Sequence, residues 1–187
     1  MKSAVDKIIV LFLFLASINT FSQIVKENSN PMEHTNQQVI TKFYTCFQNK
    51  DYKGMQECYA DSATFSDEVF INLNASQVKS MWEMLCVKGK DLRLDFKNVQ
   101  TKGTQGSAEW TAYYTFSASG RKVVNHVTAN FVFEKGKIVK HIDTFKFYKW
   151  SRQALGTSGV LLGWTGFFKN KVRQGGMKSL NDFMNKK

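Results

Sequence analysis

Residues 125–147 read NHVTANFVFEKGKIVKHIDTFKF, and the alternation on either side of Lys135-Gly136 decides the fold. Apolar residues return at every second position from Val127 to Phe133, and Ile138 and Ile142 continue beyond the turn. A period of two marks a strand with one buried face, and a two-residue break with glycine second marks a tight hairpin. The same stretch carries His126, Asn130, His141 and Asp143. That is a heavy load of imidazole, amide and carboxylate for an otherwise apolar strand pair.

Working outward, Leu92, Leu94 and Phe96, then Ala108, Trp110, Ala112, Tyr114 and Phe116, keep the period of two, and Ser119-Gly120 offers a second hairpin turn. A four-strand antiparallel meander is therefore predicted from Asp91 onward. Helical spacing precedes it. Val39, Ile40, Phe43 and Phe47 follow Thr35 and Gln38 at capping-box spacing, which predicts a helix from Thr35 to about Asn49. Residues 51–60 read as a shorter helix, ATFSD at 63–67 as a brief strand, and Asn74 with Gln77 opens a third helix with Val78, Met81, Trp82 and Leu85 on one face. Helices followed by a meander define an α+β domain.

The turns also set register. A two-residue loop at Lys135-Gly136 pairs Glu134 with Lys137, and so places Asn130 opposite His141, Thr128 opposite Asp143 and His126 opposite Phe145. The same rule at Ser119-Gly120 places Tyr113 opposite His126, Thr111 opposite Thr128 and Glu109 opposite Asn130. One face then collects Glu109, Thr111, Tyr113, His126, Thr128, Asn130, His141 and Asp143. The other carries Trp110, Tyr114, Val127, Phe131, Phe133, Ile138 and Ile142. Cross-strand neighbours lie about 5 Å apart, close enough for one network. Such a face is either the wet side of an antiparallel sheet or a pocket. Its richness in His, Asn, Tyr and Asp, and its interruption by Phe145 and Phe147, favour the pocket.

The ends of the chain read differently. Residues 1–22 have Lys2 and Lys7, an apolar run at 8–16 and a polar end, the pattern of a secretory signal cut after Ser22. The run is well below the roughly 20 residues that span a bilayer, so the expected destination is secreted or periplasmic. Residues 23–34, with Pro31, read as a flexible lead-in. Cys46, Cys58 and Cys86 are an odd number for an exported chain; buried apolar packing is the favoured reading, and a Cys46–Cys58 bridge stays open. No metal-ligand spacing or cofactor motif occurs. The net charge is +11 over 187 residues, dispersed along the chain rather than gathered in a block, and export disfavours nucleic acid as a partner.

The segments FYTCFQNKDYKGMQECYADSATFSD and FEKGKIVKHID give the chain a family likeness over residues 35–150. The domain resembles the cone-shaped fold shared by nuclear transport factor 2, ketosteroid isomerase and the SnoaL-like polyketide cyclases. The first segment is similar to the family's helix, acidic turn and YADDA strand, the second to its GKI…HWD hairpin. The resemblance implies long helices over the concave face of a curved sheet, with a cavity lined three, five and seven positions after the hairpin isoleucine, here at His141, Asp143 and Phe145. It implies a small, mostly apolar ligand, Asp143 as the general acid/base of a cyclase, isomerase or dehydratase type of reaction, and His126 or His141 as its partner. Tyr44 and Trp82, on the covering helices, complete the ligand-binding candidates. Homodimers are common in the family. Two patterns depart: the position of the ketosteroid isomerase oxyanion-binding acid is Thr128, and no arginine accompanies the polar face as an epoxide hydrolase would need. A non-catalytic binding or assembly module of the same fold is the alternative.

Residues 151–187 lie beyond the likeness. Val160, Leu161, Trp164, Phe168 and Val172 follow helical spacing, and Leu180, Phe183 and Met184 predict a further short helix after Gly175-Gly176. The apolar side of this extension is expected to pack on the domain or a second subunit, with a membrane surface as the alternative that Lys169, Lys171, Arg173 and Lys178 support.

Overall fold

The structure, a computed structural model, describes residues 31–186, so the expected signal segment and most of the lead-in lie outside the described residues. Helix α1 spans Pro31–Gln48. It begins four residues before Thr35, so the end of the lead-in is helical and the Thr35–Gln38 spacing falls inside the helix. Its apolar stripe of Ile40, Phe43, Tyr44 and Phe47 is fully buried. Helix α2 (Tyr52–Glu57) follows at once, with the Asp51 carboxylate accepting the Gly54 N–H. Strand β1 (Tyr59–Ser66) starts where a helix was predicted to continue, and β2 (Leu73–Asn74) leads into helix α3 (Ala75–Lys88). The predicted capping box is formed: Gln77 N–H donates to Asn74 Oδ1 and Asn74 N–H to Gln77 Oε1, both at 3.0 Å.

Strands β3 (Arg93–Lys102), β4 (Gln105–Phe116), β5 (Arg121–Glu134) and β6 (Lys137–Phe145) form the expected meander. The sheet has six strands in the order β2-β1-β6-β5-β4-β3; it is curved and unclosed, and β1 pairs with β6 in parallel. The Lys135-Gly136 turn holds as predicted, with φ of 51° and 72°, and Glu134 faces Lys137. The ladder then slips. Phe133 pairs with Ile138 but Val132 with Lys140, so Val139 is an extra residue, a β-bulge. The β4–β5 connection is longer than the predicted two residues: Phe116 faces Arg121, which moves every pair along by two but leaves faces unchanged. At the outer edge β3 shifts register between Lys97 and Gln100, with Asn98 at φ 54°. There α1 covers the strand: the Gln48 and Gln37 amides donate to the Leu94 and Val99 carbonyls at 3.0 and 3.3 Å.

One face of the sheet is buried by α1, α2 and α3, and its far end by α4 (Phe147–Leu155) and α6 (Gly166–Met184), joined through short α5 (Thr157–Leu162). The extension beyond residue 150 is thus part of the domain. Leu180 is fully buried in the main core with Met177, Phe183 and Met184 packed beside it, while Phe168 and Val172 pack with Trp150 and Phe147. Gly175-Gly176 does not separate two helices, because α6 runs straight through. A Cβ at Gly176 would stand 2.7 Å from Val69 Cγ1, so this glycine serves close approach rather than helix breaking. A chain ending at Trp150 would lose the cover of Leu180 and Phe168. It is expected to aggregate on expression, where the full chain stays in solution, as centrifugation and size-exclusion chromatography would show.

Candidate active site

The bulge at Val139 decides which side chains meet. Downstream of it, Phe131 faces His141 and Ala129 faces Asp143, so His141 and Asp143 point to the helix-covered face with Phe131, Ala129 and Trp110. Ile142 moves to the other side, opposite Asn130. The face predicted from uninterrupted hairpin counting therefore does not form. His126, Thr128 and Asn130 are exposed on the open side of the sheet, as is Glu109, with Thr111 and Tyr113 partly covered. His126 Nδ1 meets the Thr111 hydroxyl at 3.0 Å, Glu109 forms an exposed ion pair with Lys97 at 3.8 Å, and Tyr113 lies under the Arg93 guanidinium. Of the predicted site residues, His141, Asp143, Tyr44 and Trp82 come together under the helices. Phe145 shares their face but packs in the second cluster.

What surrounds His141 is a chain of hydrogen bonds through four elements. The Trp82 indole on α3 donates to the Tyr59 oxygen on β1 at 2.9 Å, and Tyr59 Oη lies 2.6 Å from His141 Nδ1. His141 Nε2 lies 3.0 Å from Asp143 Oδ1, and the Trp110 indole on β4 makes a longer contact of 3.4 Å to the same oxygen. An indole can only donate, so Tyr59 accepts from Trp82 and turns its own O–H toward Nδ1. Nδ1 is then the acceptor, and Nε2 carries the hydrogen given to Asp143. This tautomer follows from the network. The His141 side chain is 0% exposed and that of Asp143 3%. Aromatic rings enclose them: Phe131 has its centroid 4.3 Å from the imidazole, Phe65 5.0 Å and Phe43 5.6 Å. Tyr44 Oη is buried here and has no hydrogen-bond partner among the described residues. Burial holds the Tyr44 phenol well above its ordinary pKa, and the Asp143 carboxylate adds to the shift. Burial likewise raises Tyr59, against the Trp82 hydrogen bond, which lowers it.

Tyr59 and Trp110 were not among the predicted site residues. Tyr59 stood in a segment read as helix, although it begins the YADSATFSD run that carries the family likeness, and Trp110 was placed on the opposite face from Asp143. A third addition is Asp67, at the end of β1, whose Oδ1 accepts the Val69 and Phe70 N–H groups at 2.6 and 2.5 Å. Burial raises its pKa from 3.8 to about 7, against those two hydrogen bonds, with the Asp143 and Glu68 carboxylates adding to the rise. The three thiols are free; burial pushes Cys58 up to about 12 and Cys86 to about 11, so both are packing residues. Among the described residues no group of three His, Cys, Asp or Glu is placed to hold a metal ion.

Residues 40–141, more than half of the chain, match the family model of the SnoaL-like domain. The chain belongs to the SnoaL-like domain family. Solved structures agree on the fold, the cone of the nuclear transport factor 2-like proteins. A protein from Jannaschia sp. CCS1, assigned as a SnoaL-like polyketide cyclase, superimposes with a TM-score of 0.61 at 11% identity, over 69% of this chain and 97% of that one. An LEH-like epoxide hydrolase of Mycobacterium tuberculosis gives 0.56 at 16% identity, over 67% and 92%. TerC, co-crystallised with polyporic acid, gives 0.56 at 14% identity, over 65% and 99%. The comparison with curated proteins found no match.

Tyr59→Phe removes the one hydroxyl that joins Trp82 to His141. It strands a buried N–H and a buried ring nitrogen, and is expected to cost about 1–3 kcal/mol, read as a lower urea midpoint. Asp67 supplies a pH test. Its folded pKa lies above the unfolded value of 3.8, so the stability of its neutral form is complete below that value and is lost as pH rises through about 7. Asp67→Asn keeps the acceptor oxygen and cannot titrate. Its thermal midpoint relative to wild type is expected to climb between about pH 4 and pH 7 and to level off above.

Proposed function

We propose that this SnoaL-like protein acts on a small, mostly apolar molecule by acid/base chemistry centred on Asp143. The observation that carries the reading is the His141–Asp143 pair, buried at 3.0 Å inside an aromatic shell on the helix-covered face. In the proposed reaction the Asp143 carboxylate takes a proton from an activated C–H of the substrate and returns it elsewhere, the step common to cyclases, isomerases and dehydratases. His141 holds the carboxylate in place by its Nε2–H, and Tyr59 fixes the tautomer that makes this possible. Tyr44, whose buried hydroxyl has no hydrogen-bond partner among the described residues and whose phenol feels the Asp143 charge, is suited to donate to the substrate oxygen on which charge develops. The likeness to TerC, crystallised with polyporic acid, supports a small-molecule ligand for this fold. Without an arginine in the hydrogen-bond chain, epoxide opening has less support. Export belongs to the same proposal and rests on Lys2, Lys7 and the apolar run at residues 8–16.

The closure of the network favours a second reading, a non-catalytic binding or assembly module. His141 and Tyr59 find their partners within the protein, so the chain of hydrogen bonds is also a sufficient structural clamp.

The two readings part on one substitution. Native mass spectrometry of the purified protein identifies any carried molecule, and proton exchange of that molecule in heavy water follows the chemistry. Asp143→Asn is expected to slow exchange by about 10²–10⁴-fold with the molecule still bound. Unchanged exchange rejects the catalytic role of Asp143 and leaves the binding module.

A further inference from the structure

The C-terminal extension inverts the usual rule for a surface helix. α5 sits on α4 by its glycines: a Cβ at Gly159 would lie 1.9 Å from the Ser151 carbonyl oxygen, and one at Gly163 would lie 2.1 Å from Ser151 Oγ. With the small residues turned inward, the large apolar ones face out. Val160, Leu161, Leu162, Trp164 and Phe167 are all exposed, Trp164 at 75%, Phe167 at 70% and Leu161 at 64%. Five such side chains within eight residues are a patch rather than scattered surface hydrophobes. The patch is also held in shape. The Trp164 indole donates to the Leu161 carbonyl at 3.1 Å, the Thr165 hydroxyl donates to the Leu162 carbonyl at 2.8 Å and accepts the Phe168 N–H at 3.2 Å, and the Tyr148 hydroxyl donates to the Val160 carbonyl at 3.1 Å.

Charge identifies the occupant. Between Asp143 and Asp182 the chain has no Asp or Glu, yet it has Lys146, Lys149, Arg152, Lys169, Lys171, Arg173 and Lys178. Lys171 borders the patch directly, 5.6 Å over the Phe167 ring, and Arg152 reaches it through Tyr148, lying 5.6 Å over the ring whose hydroxyl holds the Val160 carbonyl. Lys169 is taken up by Glu68. An apex of Trp, Phe and Leu rimmed by cations matches the headgroup region of an anionic bilayer. A second copy would bring the same acid-free segment against itself and be repelled. The apolar side of α6 is already buried in the core, so the contact belongs to the turn and not to an amphipathic helix. No described helix is long and apolar enough to cross a membrane.

We propose that the α5–α6 turn is a membrane-contact tip, which seats Leu161, Trp164 and Phe167 in the interface of an anionic leaflet while Arg152 and Lys171 meet its headgroups. The test is flotation of the full chain with vesicles of phosphatidylcholine mixed with phosphatidylglycerol, and with phosphatidylcholine alone. The comparison is the triple variant Leu161→Ser, Trp164→Ser, Phe167→Ser, whose sites are exposed, so its thermal midpoint is expected to equal that of wild type. Wild type is expected to float with the anionic vesicles and to be released by salt, and the variant to bind on the order of tenfold more weakly. Equal flotation of both chains overturns the proposal and assigns lipid binding elsewhere, for instance to residues 8–16. Absence of flotation by wild type overturns it as well. So does a dimer in sedimentation that the variant lacks, which would give the tip to a second copy.

Discussion

An imidazole and a carboxylate two residues apart on one strand can leave water only if that strand's neighbours supply hydrogen bonds, because each buried polar group left unpaired costs about 1–3 kcal/mol. The requirement reaches through the whole domain. β1 has to run parallel beside β6 to bring Tyr59 to His141 Nδ1, α3 has to lie over β1 so that Trp82 can hold Tyr59, and β4 has to present Trp110 to Asp143. Layer order, strand direction and the seating of α3 are therefore tied to one pair of side chains. Phe43, Phe65 and Phe131 then exclude water from that pair, which strengthens each of its hydrogen bonds and raises the cost of losing any one.

Much of this was legible in the sequence. The helical stripe of α1, the Asn74–Gln77 capping box and the Lys135-Gly136 turn are local signals, and each formed where its chemistry put it. The site was legible only in part, because faces are a matter of parity. A two-residue shift at the Ser119-Gly120 connection left β4 and β5 on their predicted faces, whereas the single extra residue at Val139 turned His141 and Asp143 over. Uninterrupted alternation from Ile138 would have carried Lys140 into the core, and a lysine there without a partner is the residue-level sign that a bulge was needed. The family likeness selected His141 and Asp143 by their distance from the hairpin isoleucine and so was indifferent to the bulge. Counting from both turns instead joined them to His126, Thr128 and Asn130, which the sheet keeps on its far side.

Glycine misled in the extension for a similar reason. Gly175-Gly176 reads as a break when only propensity is weighed, but Gly176 is small because Val69 lies against α6, and packing overrules the local cost of glycine in a helix. Gly159 in α5 and Gly163 at its C-terminal cap serve the same end against Ser151. In each case the residue records how near another piece of backbone or side chain comes, information that has no counterpart in a sequence window.

The irregular edge of the sheet has a consequence for how the protein meets copies of itself. A ten-residue outer strand such as β3 is ordinarily a template on which another chain can add a strand and start an aggregate. Here the kink at Asn98 interrupts the template, Lys97 and Lys102 charge it, and the two glutamine amides of α1 occupy the Leu94 and Val99 carbonyls. The opposite edge, β2, is two residues long. The kinked, charged outer strand and the two-residue strand at the other edge both offer poor templates for strand addition, the commonest route by which an open sheet turns into fibrils.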